Sequence, residues 1–150
     1  MKRFELFEPV SLEEATRLLI QRGEKGSILA GGTDLLLRLK KGEIELDFLV
    51  SLRRIARLSF IQKEDGFLKL GAFTTHRTIE KSPIIKAFFP ALSDAVGNLG
   101  SIQIRNIATI GGNICNAAPS ADTVPPLMVH GSKTRRTTCG PLGTSTTLKR

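Results

Sequence analysis

The sequence predicts an α+β fold made of two α/β subdomains, and three observations carry that prediction. The first fifty residues alternate strand-like and helix-like runs, the order that gives a small, largely parallel sheet with helices packed on it. From about Leu58 the pattern changes to two strand-like runs flanking Asp65-Gly66, a dipeptide that favours a tight hairpin. A glycine pair ends an apolar run in each half, Gly31-Gly32 in the first and Gly111-Gly112 in the second. The divisions that follow are residues 1–57, 58–130 and a tail, 131–150.

In chain order, "RFELFEPV" reads as a strand. "SLEEATRLLIQRG" reads as a helix with Ser11 as N-cap, Glu14 completing a capping box and Gly23 as the stop, with Leu12, Ala15, Leu18 and Leu19 on one face. "SILAGG" is a short apolar strand running into glycines. "TDLLLRLKKG" starts a second helix at Thr33 or Asp34 and ends it at Gly42, and "DFLVSL" is a third strand. After the hairpin "LSFIQKEDGFLKLGAF", the stretch "TTHRTIEKSPII" is a capped helix broken before Pro83. "PALSDAVGNLGS" is another helix, with Pro90 near its first turn, and "IQIRNIATIGGNI" supplies two short strands with a bend between them. The last twenty residues hold six Thr, three Gly, no acid and only Leu142 and Leu148 as large apolar side chains. They show neither helical nor strand periodicity, and with so little to bury they are expected to be disordered.

At 150 residues and 41% hydrophobic the chain can bury a core. No apolar run approaches the roughly 20 residues that span a bilayer, and "MKRFELFEPV" places acidic residues where a signal peptide needs an apolar stretch, so the expected location is the cytoplasm. Cys115 and Cys139 form no Cys-x-x-Cys pair, so neither a metal cage nor a disulfide framework is indicated, and both are expected to be isolated reduced thiols. The net charge of +8 invites a nucleic-acid reading. Five cations of the tail supply most of it, leaving 17 basic and 14 acidic residues over positions 1–130. With no Trp or Tyr to stack on bases, nucleic acid is not an expected partner.

The two glycine pairs admit two readings. Each can be a tight turn made of glycine for steric reasons, or a loop whose bare N–H groups approach a phosphate. Neither Gly-x-Gly-x-x-Gly nor Gly-Lys-Ser/Thr is present, so a phosphate, if held, is held mainly by neutral backbone donors. Thr33 can add a hydroxyl to the first loop and Asp34 can cap the helix behind it. Thr109, Asn113 and Asn116 add hydrogen-bonding groups to the second. Asp122 can accept from sugar or ribityl hydroxyls, or equally cap the helix opening at "TVPPLM". His76, with no partner residue in its neighbourhood of sequence, reads as a surface or helix-start residue.

Together "ILAGGTDLL", "LGAFTTHRTIE", "FPALSDAV" and above all "QIRNIATIGGNICNAAPSADTVPPLM" resemble the FAD-binding (medium) subunit of the molybdenum hydroxylases, the group of xanthine dehydrogenase, aldehyde oxidase and carbon monoxide dehydrogenase. The resemblance covers residues 1 to about 130. It implies a vanillyl-alcohol-oxidase/PCMH-type FAD-binding domain whose two α/β subdomains clamp the cofactor, the second of them incomplete in this chain. Carried over, Ala30, Gly31, Gly32, Thr33 and Asp34 form one pyrophosphate loop, bracketed by Leu29 and Leu35. Thr109, Ile110, Gly111, Gly112 and Asn113 form the other. Asp122 matches an aspartate that bonds the flavin's hydroxylated chain, and Leu99 falls where the family often places an apolar side chain near the flavin ring.

The function so implied is electron transfer. Substrate is oxidised at a molybdenum cofactor on a molybdopterin subunit, electrons pass through iron-sulfur clusters on another subunit, and FAD delivers them to NAD or another acceptor. No residue of this chain is assigned an acid-base role, and no metal site. The family continues well past position 130 whereas the Thr- and Arg-rich tail does not resemble that continuation, so a truncated product is expected. The alternative function is an interaction stub that docks to partner subunits without flavin.

Overall fold

The structure is a computed structural model that describes residues 3–64, 66–118, 121–137 and 143–149. Its first half is built as expected. Strand β1 (Glu5–Phe7) leads to helix α1 (Leu12–Arg22), where the Ser11 hydroxyl accepts from the Glu14 amide and Glu14 accepts in turn from the Val10 amide. The Glu14 carboxylate thus reaches one residue further back than in a strict capping box. Strand β2 (Gly26–Leu29), helix α2 (Leu35–Lys41) and strand β3 (Phe48–Ser51) complete the unit. The sheet is three-stranded with order β1-β3-β2, every pair parallel, so β3 is central, and all four of its residues are buried. Leu12 and Ala15 of α1 pack with Phe48, Val50, Leu52, Ile55 and Leu58 in one core.

Beyond a short 3-10 turn, Ala56–Leu58, strands β4 (Ile61–Glu64) and β5 (Phe67–Gly71) pair antiparallel, with Glu64 opposite Phe67 across the predicted hairpin turn. Asp65 itself lies outside the described residues, as do Pro119 and Ser120 of the "PSAD" motif and Cys139. Helices α3 (His76–Lys81) and α4 (Pro83–Phe88) meet at Ser82, whose extended conformation is the one a following proline enforces. Helix α5 (Pro90–Asn98) opens on its proline. A second core joins Leu68 and Leu70 of β5 to Ile79, Ile85, Phe89, Leu92, Val96, Ile110 and Leu127.

Two expectations change. Residues 102–114 are not strands: they form helix α6 (Ile102–Ile107) and most of helix α7 (Ile110–Asn116). The β-branched isoleucines favour strand locally. Ser101 and Thr109 override them, each accepting a hydrogen bond from the amide three residues on, Ile104 and Gly112. Helix α8 (Val124–Val129) then precedes strands β6 (Lys133–Thr137) and β7 (Gly143–Lys149), within the tail that showed no strand periodicity. β7 pairs antiparallel with β5 and β6 pairs with β7, giving a four-stranded sheet of order β4-β5-β7-β6. Threonine is at home in a strand, and the open edge of β5 supplies the partner that no pattern within the tail can announce.

Candidate functional site

Both glycine pairs border one cavity of about 570 Å³. Ala30, Gly31, Gly32, Thr33, Asp34 and Leu35 line it from the end of β2 and the first turn of α2. Thr109, Gly111, Gly112 and Asn113 line it from the start of α7, and Leu99 and Asp122 complete the predicted set. Leu29 and Ile110 are not among the lining residues: Ile110 is fully buried in the second core. The two loops lie close together, so that a Cβ added at Gly112 would stand 3.4 Å from the Ala30 methyl.

The glycine pairs do different work. At the first, no hydrogen bond among the described residues takes the N–H of Gly31, Gly32 or Thr33. Gly32 holds φ at +76°, a conformation L side chains resist, and a Cβ on Gly31 would stand 2.3 Å from the Ile107 carbonyl oxygen. The loop is therefore a cradle of unpaired donors with backbone close behind it. At the second pair the donors are used. The Ile110 N–H donates to Thr74 O (3.1 Å), Gly111 to Ala72 O (2.9 Å), Gly112 to the Thr109 hydroxyl (3.1 Å) and Asn113 to Thr109 O (3.0 Å). Here glycine serves close approach, because a Cβ on Gly111 would fall 2.7 Å from Ala72 O. Bare N–H groups are thus found at the first glycine pair and not at the second.

Asp34 precedes α2 without making a side-chain cap bond; its carboxylate accepts from the Thr33 hydroxyl at 3.3 Å. Asp122 is exposed, and Thr123 stands at the N-cap of α8, so the capping role considered for Asp122 is not the one it plays. Thr123 is fully buried and donates to the Asn113 side-chain oxygen, which fixes that amide at the cavity edge. Cys115 is an exposed free thiol on the cavity lining. Among the described residues no group of three or more His, Cys, Asp or Glu is placed to hold a metal ion.

Three features escape the sequence. Ala72 and Phe73, at the end of β5, form part of the wall, and so does Ile104 of α6. Arg105, in the "QIRN" run, is buried and hydrogen-bonded beside the wall. His76 does open α3, but it is fully buried, lines the cavity, and neither ring nitrogen has a hydrogen-bond partner. Burial pushes its pKa down to about 4, so the ring is neutral at pH 7. Only the apolar flanks of "LGAFTTH" hint at that burial.

The profile of the family described as "FAD binding domain in molybdopterin dehydrogenase" matches residues 2–141. The chain is 38% identical over 125 residues to the nicotinate dehydrogenase FAD-subunit of Eubacterium barkeri, covering 83% of this chain and 42% of that one. It is 37% identical over 120 residues to the carbon monoxide dehydrogenase medium chain of Hydrogenophaga pseudoflava, covering 80% and 42%. It therefore spans about two fifths of the length of these relatives. A solved structure of carbon monoxide dehydrogenase from Hydrogenophaga pseudoflava superposes with a TM-score of 0.91 at 29% identity, over 99% of this chain and 59% of that one. No helix among the described residues is long and apolar enough to cross a membrane.

Proposed function

The chain belongs to the family of FAD-binding domains of molybdopterin dehydrogenases, and from that premise we propose that it is the cofactor-holding part of an electron-transfer subunit in a cytoplasmic molybdenum-containing hydroxylase or dehydrogenase. One observation carries the reading to particular residues: a cradle of unpaired N–H groups at Gly31, Gly32 and Thr33 faces a cavity whose other side is the Thr109–Asn113 turn. Unpartnered amides without Cβ atoms in front of them suit the oxygens of a pyrophosphate.

In this reading Ala30 to Asp34, between Leu29 and Leu35, take the pyrophosphate. Thr109 to Asn113 close on it by shape, the amide of Asn113 being steadied by Thr123. Asp122 accepts from the hydroxylated chain of the cofactor, and Leu99 lies along the flavin ring. When bound, FAD supplies the exchange between one-electron carriers and a two-electron acceptor. The protein binds, orients and excludes water. Electrons reach the site from iron-sulfur clusters on a partner subunit, themselves fed by a molybdenum cofactor on a third, and leave to NAD or another acceptor. The two halves, 1–57 and 58–130, correspond in this reading to the two α/β subdomains of a vanillyl-alcohol-oxidase/PCMH-type domain.

A second reading, an interaction stub without flavin, draws on the engaged donors of the second loop, which leave one pair of glycines, and not two, to grip the phosphates. Fluorescence titration of the purified chain with FAD and with FMN separates the two. FAD binding with no measurable FMN binding is expected, because FMN lacks the pyrophosphate that the cradle addresses. Equal affinity for both flavins, or no binding of FAD, overturns the assignment.

A further inference from the structure

The segment between α5 and α6 is braced by the Arg105 side chain. Arg105 is almost fully buried, and its guanidinium divides its donors among three acceptors. Nε donates to Glu80 Oε2 at 3.0 Å, and Nη1 donates to Leu99 O at 3.2 Å and Gly100 O at 2.8 Å. Glu80 is held in turn by Arg77, whose Nη1 donates to its other oxygen at 2.8 Å. The far end of the same turn is closed by Ser101, which accepts from the Ile104 amide. Nη1 bridges the two successive carbonyls while Nε engages Glu80 from the same rigid plane, so the guanidinium ties the turn to the carboxylate as the single nitrogen of an ammonium cannot. Leu99 and Ile104, on either side of that turn, both line the cavity, whereas Arg105 does not.

We propose that Arg105 is a positioning residue for the cofactor: oriented by Glu80, it locks the Leu99–Gly100 turn so that Leu99 stands as a fixed apolar wall of the cavity. The inference rests on the reading that the cavity holds FAD with Leu99 at its flavin end. It adds a division of labour in which the first glycine loop holds the phosphates and the Arg105–Glu80 pair shapes the opposite requirement, the bed of the ring. Partial burial makes the pair consequential, since a guanidinium stripped of water must keep its acceptors.

The experiment compares two ligands on the full chain. FAD contains both ends of the cofactor, and ADP contains only the adenosine and the pyrophosphate. Arg105→Lys keeps the charge beside Glu80 but loses the fork. It should weaken FAD binding about tenfold, the scale of one well-placed contact, leave ADP affinity within about twofold, and alter the visible-region circular dichroism of the bound flavin. Equal losses for FAD and ADP, accompanied by a lower thermal midpoint, would show a merely structural role and overturn the inference, as would unchanged FAD affinity and dichroism. If Arg105→Lys does not fold, Glu80→Gln makes the same comparison with the same two outcomes, because it preserves size and one hydrogen bond while freeing the guanidinium. Wild-type chain that binds ADP but not FAD, or neither, refutes the cofactor reading itself and this inference with it.

Discussion

Gly31 faces a carbonyl at a distance that leaves no room for a methyl group: its missing Cβ would lie 2.3 Å from Ile107 O. Gly31→Ala should therefore push α6 away from the first loop and cost about 1–3 kcal/mol, read as a lower thermal midpoint even without ligand. Gly112→Val crowds the Thr109 hydroxyl, 2.9 Å from the new Cβ, and the Ala30 methyl beyond it. Its larger effect should be on FAD, an affinity lower by about tenfold or more, and unchanged affinity would remove Gly112 from the site. His76 makes a pH prediction. Its ring takes a proton near 6.5 when unfolded and only near 4 when folded. Stability is then complete above about pH 6.5 and falls as the pH drops towards 4, by up to roughly 3 kcal/mol. His76→Leu should flatten that part of the curve of midpoint against pH, and a drop of the same size in the variant would refute the assignment. The glycines and Asp122, which border one cavity, could be singled out in the sequence because a loop's composition is written in its own residues. The burial of His76 was not, because it depends on helices and strands that sequence distance hides.

Elements whose ends are set by their own caps were legible: Ser11 and Glu14 for α1 and Pro90 for α5. Helix α4 was not, because Pro83 reads as the break of the preceding helix when it also opens the next one. The two short helices α6 and α7 read as strands in the sequence, since a count of isoleucines outweighs Ser101 and Thr109, which decide the matter through one hydrogen bond each. The tail misleads for the opposite reason. Residues 133–137 and 143–149 carry no amphipathic pattern. The latter become a strand by joining β5, with Phe67 to Gly71 opposite Lys149 to Ser145, and the former by joining the latter. Ending the chain at residue 131 should thus lower the thermal midpoint by several degrees, given about 0.5–1.5 kcal/mol for each ladder hydrogen bond lost. It should also leave β5 a bare edge that draws chains together. An unchanged midpoint on deletion would restore the expectation that the tail stands outside the fold.

At the scale of the molecule, this chain carries a cradle of unpaired amides beside a cavity and no group of three potential metal ligands among its described residues. The isolated chain should show no dehydrogenase turnover with purines, aldehydes or aromatic acyl thioesters, and acceptor reduction by it free of other subunits would contradict that. The change of pattern near Leu58 suggests two halves in the sequence. The two apolar clusters themselves, one around Phe48 and Val50 and one around Leu70 and Leu92, come into view only in the structure. The cavity forms a seam with Ala30 on one side and Gly112 on the other. A ligand lying in that seam acts as mortar between two bricks. In a scanning calorimeter the empty chain should absorb heat in two overlapping steps, one for each cluster, and saturating FAD should fuse them into a single sharper peak that climbs with the logarithm of ligand concentration. The melting of the protein would then report, with no substrate and no partner present, whether its two halves are held as one.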